Sequence, residues 1–165
     1  MGLGAVFMSD MRKKAVMGLA VGDTFTITRV LSRDETLAFG DLTRDYNPVH
    51  YDERFARVKG FKGLVCHGLL TGGLLCEVGG QLGWLASRMD FRFKRPVYFG
   101  DSITCQITIT HLGPNGKAEA KAVMTNQDGE EVLSAHLEGF VPGPAEKEIL
   151  QLMQAQGDPT NPLRD

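Results

Sequence analysis

The chain of 165 residues carries 18 Lys plus Arg against 20 Asp plus Glu, a net charge of −2, with 42% apolar and 23% charged residues. That length suits one domain with a core of its own, the composition excludes a disordered chain, and the near balance of charge excludes a broadly basic nucleic-acid binder. Cys66, Cys76 and Cys105 form no closely spaced pair, as expected of reduced thiols in a cytoplasmic protein rather than a disulfide framework.

No stretch reaches the roughly 18 apolar residues of a membrane span. The apolar run Ala15 to Val21 behind Arg12-Lys13-Lys14 is too short and too poorly ended for a secretory signal. Residues 1–20 are expected to be a leader, loose before about Lys14, residues 21–141 the domain, and residues 142–165 a tail with a short helix around Glu146 to Gln156. Thr24 to Leu31 is rich in β-branched and aromatic residues and reads as a strand. Ser32-Arg33-Asp34-Glu35 fits a capping box for a helix running towards Leu42. Asp41 to Asp52 is a polar loop in which Pro48 forces Asn47 out of helix, and Asp52 is placed to cap a short helix through Val58.

From Gly68 the segment GLLTGGLLCEVGGQLG is apolar on every side of a helical wheel, the mark of a buried helix. Its internal glycines each cost about 1 kcal/mol relative to Ala, a penalty that a closely wrapped sheet would offset. Trp84 to Lys94 reads as a strand with Phe91 and Phe93 on one face. Ile103, Cys105, Ile107 and Ile109 alternate with Thr104, Gln106, Thr108 and Thr110, the period of a half-buried strand. Turns at Pro114-Asn115-Gly116 and Asp128-Gly129 then predict an antiparallel meander of three strands, through Lys117 to Asn126 and Glu130 to Val141. The fold class is α+β, with the apolar helix on the concave face of an antiparallel sheet.

No phosphate-binding loop, dinucleotide fingerprint or nucleophile elbow is present. His50, His67, His111 and His136 make no zinc-ligand spacing with one another or with the cysteines. The loop Asp45-Tyr46-Asn47-Pro48-Val49-His50 remains, with a carboxylate and an imidazole on a backbone held out of helix. From residue types alone, an acid–base pair sharing a water competes with a plainer arrangement, turn formers beside a surface histidine, and the plainer one is favoured.

Asp45-x-Asn47-Pro48-x-His50-x-Asp52, then Phe55-Ala56, then His67-Gly68-Leu69-Leu70, resembles the signature of the MaoC-like (R)-specific enoyl-CoA hydratases. Phe91-Arg92-Phe93-Lys94-Arg95-Pro96-Val97-Tyr98-Phe99-Gly100-Asp101 is similar to the strand that follows the family's central helix, and the likeness runs over about Val21 to Val141. The resemblance implies a hot-dog fold, an antiparallel sheet wrapped around a long central helix, and at least a homodimer paired edge to edge. It implies reversible hydration of trans-2-enoyl-CoA to (R)-3-hydroxyacyl-CoA without metal or other cofactor, in the setting of fatty-acid metabolism. Asp45 is then the general base, His50 its partner in water binding and proton transfer, and the Gly68 amide the donor to the thioester oxygen. Gly68 suits that role physically, since a helix start offers free N–H groups and the missing Cβ admits close approach. Asn47, orienting the loop, and His67 join Arg57, Lys59 and Lys62 in the expected substrate-binding set. Arg88, Arg92, Lys94 and Arg95 are a second cationic group able to meet the phosphates.

Two departures stand out. Thr43-Arg44 precedes Asp45 where the family commonly has Ser-Gly, and the stretch Gln81 to Leu85, a candidate lining of the acyl tunnel, is short. Hot-dog thioesterases carry a catalytic acid about nine residues after the helix-opening histidine, whereas Glu77 follows His67 by ten and is turned by about 100°. Thioester hydrolysis by Glu77 is the alternative activity. A non-catalytic acyl-CoA-binding regulator is the third reading, weakened by the lack of a DNA-binding helix pair before Val21.

Overall fold

Alternation of apolar residues builds the sheet. In β3 (Ser102–Leu112) Ile103, Cys105, Ile107 and Ile109 are all buried while Gln106 faces solvent, and in β4 (Lys117–Thr125) Ala118, Ala120, Ala122 and Met124 repeat the pattern. With β1 (Thr24–Val30), β2 (Leu85–Phe93) and β5 (Glu131–Phe140) they form one antiparallel sheet in the order β1-β3-β4-β5-β2. The expected meander is β3-β4-β5. Its first turn places Asn115 and Gly116 at φ 57° and 75°, the left-handed region in which such a tight turn favours these residue types. The structure, a computed structural model, describes residues 8–158; residues 1–7 of the expected leader and 159–165 of the expected tail lie outside them.

The apolar helix runs in two pieces, α4 (Gly68–Gly72) and α5 (Leu74–Leu82), and is buried on one side only, not all round as its composition predicts: Leu69 is 59% exposed, and Cys76 and Gly80 face outward. At the joint Gly73 donates to the Leu69 carbonyl at 2.8 Å, and Cys76 then donates to the Gly73 carbonyl at 2.9 Å, a three-residue step in a four-residue ladder. Leu74, Leu75, Val78 and Leu82 enter the core. Two glycines repay their helical cost as expected. A Cβ on Gly68 would stand 2.9 Å from Cε1 of Phe93, and one on Gly72 would stand 3.2 Å from Cε1 of Phe91. The two phenyl rings, 5.9 Å apart, lie on the helix as a plate.

Both helix caps read from sequence are present. Ser32 opens α2 (Arg33–Thr43) with a reciprocal bond to Glu35, and Asp52 accepts from the Arg54 and Phe55 amides at the start of α3 (Glu53–Val58). The segment ahead of Leu19 departs from a loose leader. From Met8 it forms α1 (Met8–Met17), with Met11 and Ala15 buried against the core. Arg12, also buried, donates from Nε to the Gln81 carbonyl at 2.8 Å, from Nη2 to the Gly80 carbonyl at 2.9 Å and from Nη1 to Asp158 at 2.9 Å. Those carbonyls belong to the last turn of α5, where a helix has no internal donors left and favours a cation. The tail forms α6 (Pro144–Ala155), which packs beside α1.

Candidate active site

The loop that carries Asp45 starts with a strained residue. Arg44 ends α2 at φ 58° and ψ 27°, a left-handed conformation that glycine adopts freely, and this is the position at which the family commonly has Gly. The Asp45 amide donates to Thr43 Oγ1 at 3.4 Å, and the Asp45 carboxylate accepts from the Asn47 amide at 3.3 Å. Asn47 is extended at φ −56° and ψ 125°, as the following proline requires, and its side chain caps the short 3-10 turn Pro48–His50 by accepting from Val49. Asn47 therefore shapes the loop, while the Asp45 side chain stays 51% exposed.

His50 ends that turn and is buried. Its Nδ1 donates to the Val65 carbonyl at 2.7 Å. A carbonyl only accepts, so the proton sits on Nδ1 and Nε2 keeps its lone pair. That carbonyl is itself fixed, because the Val65 amide donates to Val49 and the Cys66 amide to Val97. Burial pushes the His50 pKa down, with neighbouring His67 acting in the same direction and the Val65 bond and Asp45 opposing. The imidazole is held neutral at physiological pH.

His67 is 1% exposed and stacks on His50, ring centroids 3.7 Å apart. Its Nε2 donates to the Asp45 main-chain carbonyl at 2.9 Å and lies 3.9 Å from Asp45 Oδ2. The next residue is Gly68, whose amide opens α4 and so has no acceptor within the helix. Asp45, His50 and His67 present donor atoms all within 4.8 Å of one another. His50 Nδ1 and His67 Nε2 are both engaged with main-chain carbonyls, so each imidazole keeps one ring nitrogen for another partner.

Gly68 lines a cavity of about 320 Å³ with Thr71, Phe93, Val97 and Leu133, and Lys94 and Arg95 stand among its lining residues. Lys94 pairs with Glu131 at 2.6 Å, and Arg95 donates to the Glu131 carbonyl at 2.8 Å. A second cavity of about 330 Å³ is lined by Leu75, Cys76, Val78, Gly79, Trp84 and Met89 among others. Thr71, Leu75 and Val78 follow at helical spacing, so the two cavities succeed one another along the central helix.

The expected site residues divide into two groups. Asp45, Asn47, His50, His67 and Gly68 come together. Arg57, Lys59 and Lys62 lie on α3 and the loop after it with local partners: Arg57 pairs with Glu53 at 3.3 Å, Lys59 sits over the Phe55 ring at 5.7 Å, and Lys62 over the Tyr98 ring at 4.4 Å. None of the three lines either cavity. Glu77 is clamped by Arg29 of β1, whose guanidinium meets both carboxylate oxygens at 2.7 and 2.9 Å. Cys66 lines the Gly68 cavity, and burial raises its pKa, which keeps it a thiol and a poor nucleophile. Sequence reasoning missed the Val65 carbonyl behind His50 and the Phe93 ring on Gly68. A main-chain oxygen leaves no trace in residue types, whereas the Gly68/Gly72 and Phe91/Phe93 spacings were visible without their pairing.

The model of the MaoC like domain matches residues 19–132. The chain belongs to the MaoC-like dehydratase family. As a MaoC-like dehydratase it is a hydro-lyase, and its sheet around a central helix is the hot-dog fold. It is 28% identical over 125 residues to an (R)-specific enoyl-CoA hydratase of Rhodospirillum rubrum, covering 73% of this chain and 87% of that protein. It is 30% identical over 119 residues to a 3-hydroxybutyryl-CoA dehydratase of Methylorubrum extorquens, covering 70% and 75%. Among solved structures, the (R)-hydratase from A. caviae involved in PHA biosynthesis matches with a TM-score of 0.71 at 28% identity, covering 76% of this chain and 98% of that one. No described helix of this MaoC-like protein is long and apolar enough to cross a membrane.

Proposed function

We propose that this chain reversibly adds water across the double bond of a trans-2-enoyl-CoA to give the (R)-3-hydroxyacyl-CoA. One observation carries the reading: a carboxylate oxygen of Asp45 and a ring nitrogen of each of His50 and His67 lie within 4.8 Å of one another, the His50 proton is fixed on Nδ1 so that Nε2 is left as an acceptor, and Gly68, whose amide opens α4, directly follows His67. A water that donates one hydrogen to each acceptor has its lone pairs left for the substrate. Its oxygen bonds to C3 as Asp45 takes one proton, the C2–C3 π electrons move towards the thioester oxygen, and the Gly68 amide meets the charge that develops there. The Asp45–His50 pair returns a proton to C2, so the atoms of one water are added in total. The names of the relatives support the substrate class.

In this reading the thioester occupies the cavity beside Gly68 and the acyl chain continues into the apolar cavity under α5. Lys94 and Arg95, together with Arg57, Lys59 and Lys62, meet the phosphates of coenzyme A. Strand β2 pairs only with β5 among the described strands and exposes Leu85 and Phe93, which supports an edge-to-edge homodimer. Three free cysteines fit a cytoplasmic setting.

The test mixes the purified protein with crotonyl-CoA and follows enoyl-thioester absorbance and free thiol together. Loss of absorbance without thiol is expected, and Asp45→Asn or His50→Ala abolishes it in a folded protein. Thiol release instead would point to hydrolysis, and retained hydration by folded Asp45→Asn would remove the assignment.

A further inference from the structure

His67 is the only residue among those described here that touches all three parts of the site. Its ring backs His50, its Nε2 reaches the main-chain carbonyl of Asp45, and its own carbonyl accepts the Thr71 amide at 3.1 Å in the first turn of α4, directly ahead of Gly68. The residue is 1% exposed and lines neither cavity. The Asp45 carboxylate, by contrast, is half exposed, and its loop is held mostly by long bonds: the Asp45 amide to Thr43 at 3.4 Å, and Tyr51 Oη to the Asp45 carbonyl also at 3.4 Å. The 2.9 Å bond from His67 is the shortest hydrogen bond tying Asp45 to the body of the protein.

We propose that His67 is a positioning residue, a latch whose Nε2–H holds the Asp45 carbonyl against the start of the central helix and so fixes the general base relative to both His50 and the Gly68 amide. The proposal rests on the hydratase reading for its effect on rate, and on geometry alone for its effect on the loop. The bond to a carbonyl requires a proton on Nε2, and in the neutral ring that leaves Nδ1 as a bare lone pair. Nδ1 is buried and has no hydrogen-bond partner among the described residues. A buried acceptor left without a partner costs stability, so the Nε2–H tautomer is kept at a cost, and its return is the placement of Asp45. The rest of the ring is packed tightly. A Cβ on Gly40 would stand 3.2 Å from His67 Cε1 and would overlap Tyr51 Oη, so glycine at position 40 leaves the room that the imidazole occupies.

Donor and ring can be separated. His67→Gln keeps a side-chain N–H for the Asp45 carbonyl and loses the stack on His50; His67→Phe keeps a ring against His50 and loses the donor. We expect His67→Phe to lower kcat for crotonyl-CoA hydration by about a hundredfold with KM within a few-fold, the signature of a misplaced catalytic group. His67→Gln restores most of that loss. Amide hydrogen exchange over residues 45–50 is at least about tenfold faster in His67→Phe than in the wild type, with or without substrate. In the wild type, nitrogen-resolved NMR of the imidazole shows the Nε2–H tautomer, a measurement that needs no variant to fold.

An Nδ1–H tautomer in the wild type overturns the proposal, as does a His67→Phe protein with wild-type kcat and wild-type exchange over 45–50. If His67→Phe loses its loop protection while the wild type hydrates no enoyl-CoA, the latch stands and the hydratase reading falls. If the wild type hydrates crotonyl-CoA and His67→Gln is as slow as His67→Phe with an equally loose loop, the ring and not the donor does the positioning, and the proposal falls alone.

Discussion

The ring of Phe93 fills the space that a side chain on Gly68 would need, with Cε1 2.9 Å and Cδ1 3.1 Å from the position of a Cβ. Phe93 is 54% exposed within the single chain, and its ring tip, a side chain and not backbone, is what must shift to admit an added methyl. Alanine is also the better helix former by up to about 1 kcal/mol. Gly68→Ala is therefore expected to fold with a stability within about 1 kcal/mol of wild type, while hydration falls about a hundredfold because the slot beside the amide is obstructed. Thermal melting and enoyl-thioester absorbance read the two effects separately. Full activity in Gly68→Ala would take the oxyanion role away from this amide.

The depressed pKa of His50 sets a sign for pH dependence. Its ordinary value is 6.5, and burial, followed by the influence of His67, holds the folded value lower. The unfolded chain thus takes up the proton first. The stability contributed by a neutral His50 is fully present above 6.5 and is lost as pH falls through the lower folded value. The hydration rate should be level through neutrality and fall on an acid limb centred below 6.5, since water must find a bare Nε2. Rate and melting temperature measured across the acid range check both. His50→Gln should lose less melting temperature on acidification than the wild type. An acid limb centred above 6.5 would contradict the buried neutral imidazole.

Arg44 holds a left-handed conformation that costs a non-glycine residue about 1–2 kcal/mol. Its side chain is exposed and has no hydrogen-bond or ion-pair partner among the described residues. Glycine would relieve the strain and return part of the gain through a more flexible unfolded chain. Arg44→Gly is expected to raise the melting temperature by about 2–4 °C and to leave kcat unchanged. A lowered melting temperature would show that Arg44 is held by more than its backbone.

Room for the acyl chain is tested at Gly79, which lines the apolar cavity and whose Cβ would meet nothing closer than Trp84 Cβ at 3.9 Å. Gly79→Leu fits without a clash at its first atom and fills the cavity beyond. Crotonyl-CoA should still be hydrated at a rate within a few-fold of wild type, whereas acyl groups of eight or more carbons should lose at least about tenfold in kcat/KM. Equal losses at every length would place the acyl chain elsewhere.

Much of the scaffold could be read from local rules. Ile103 to Ile109 alternate because one face of β3 meets the core, and Ser32 with Glu35 and Asp52 with its following amides satisfy helix starts through neighbours in the chain. The long-range pairings left weaker traces. In the site His67 reaches Asp45 across 22 positions, and outside it Arg29 reaches Glu77 across 48. Asp45 and His50 stood out only through their likeness to a family, since a carboxylate and an imidazole in a polar loop look the same when they are idle. The helix α1 went unread because, among its residues of described burial, Met11 and Ala15 are the buried apolar ones, and its anchor is an arginine, a residue that ordinarily signals solvent.

That arginine limits how the protein can be trimmed. The family match begins at residue 19, so a clone cut to the recognisable core would discard Arg12 along with Met11 and Ala15. The Gly80 and Gln81 carbonyls, in the last turn of the central helix opposite to Gly68, would then lose the guanidinium that donates to both. Shortening from the other terminus to remove Asp158 would leave the guanidinium buried without its counter-charge, a loss of several kcal/mol. The recognisable domain and the stable unit differ in this protein, and the helix that carries the Gly68 amide owes its far end to residues from both ends of the chain.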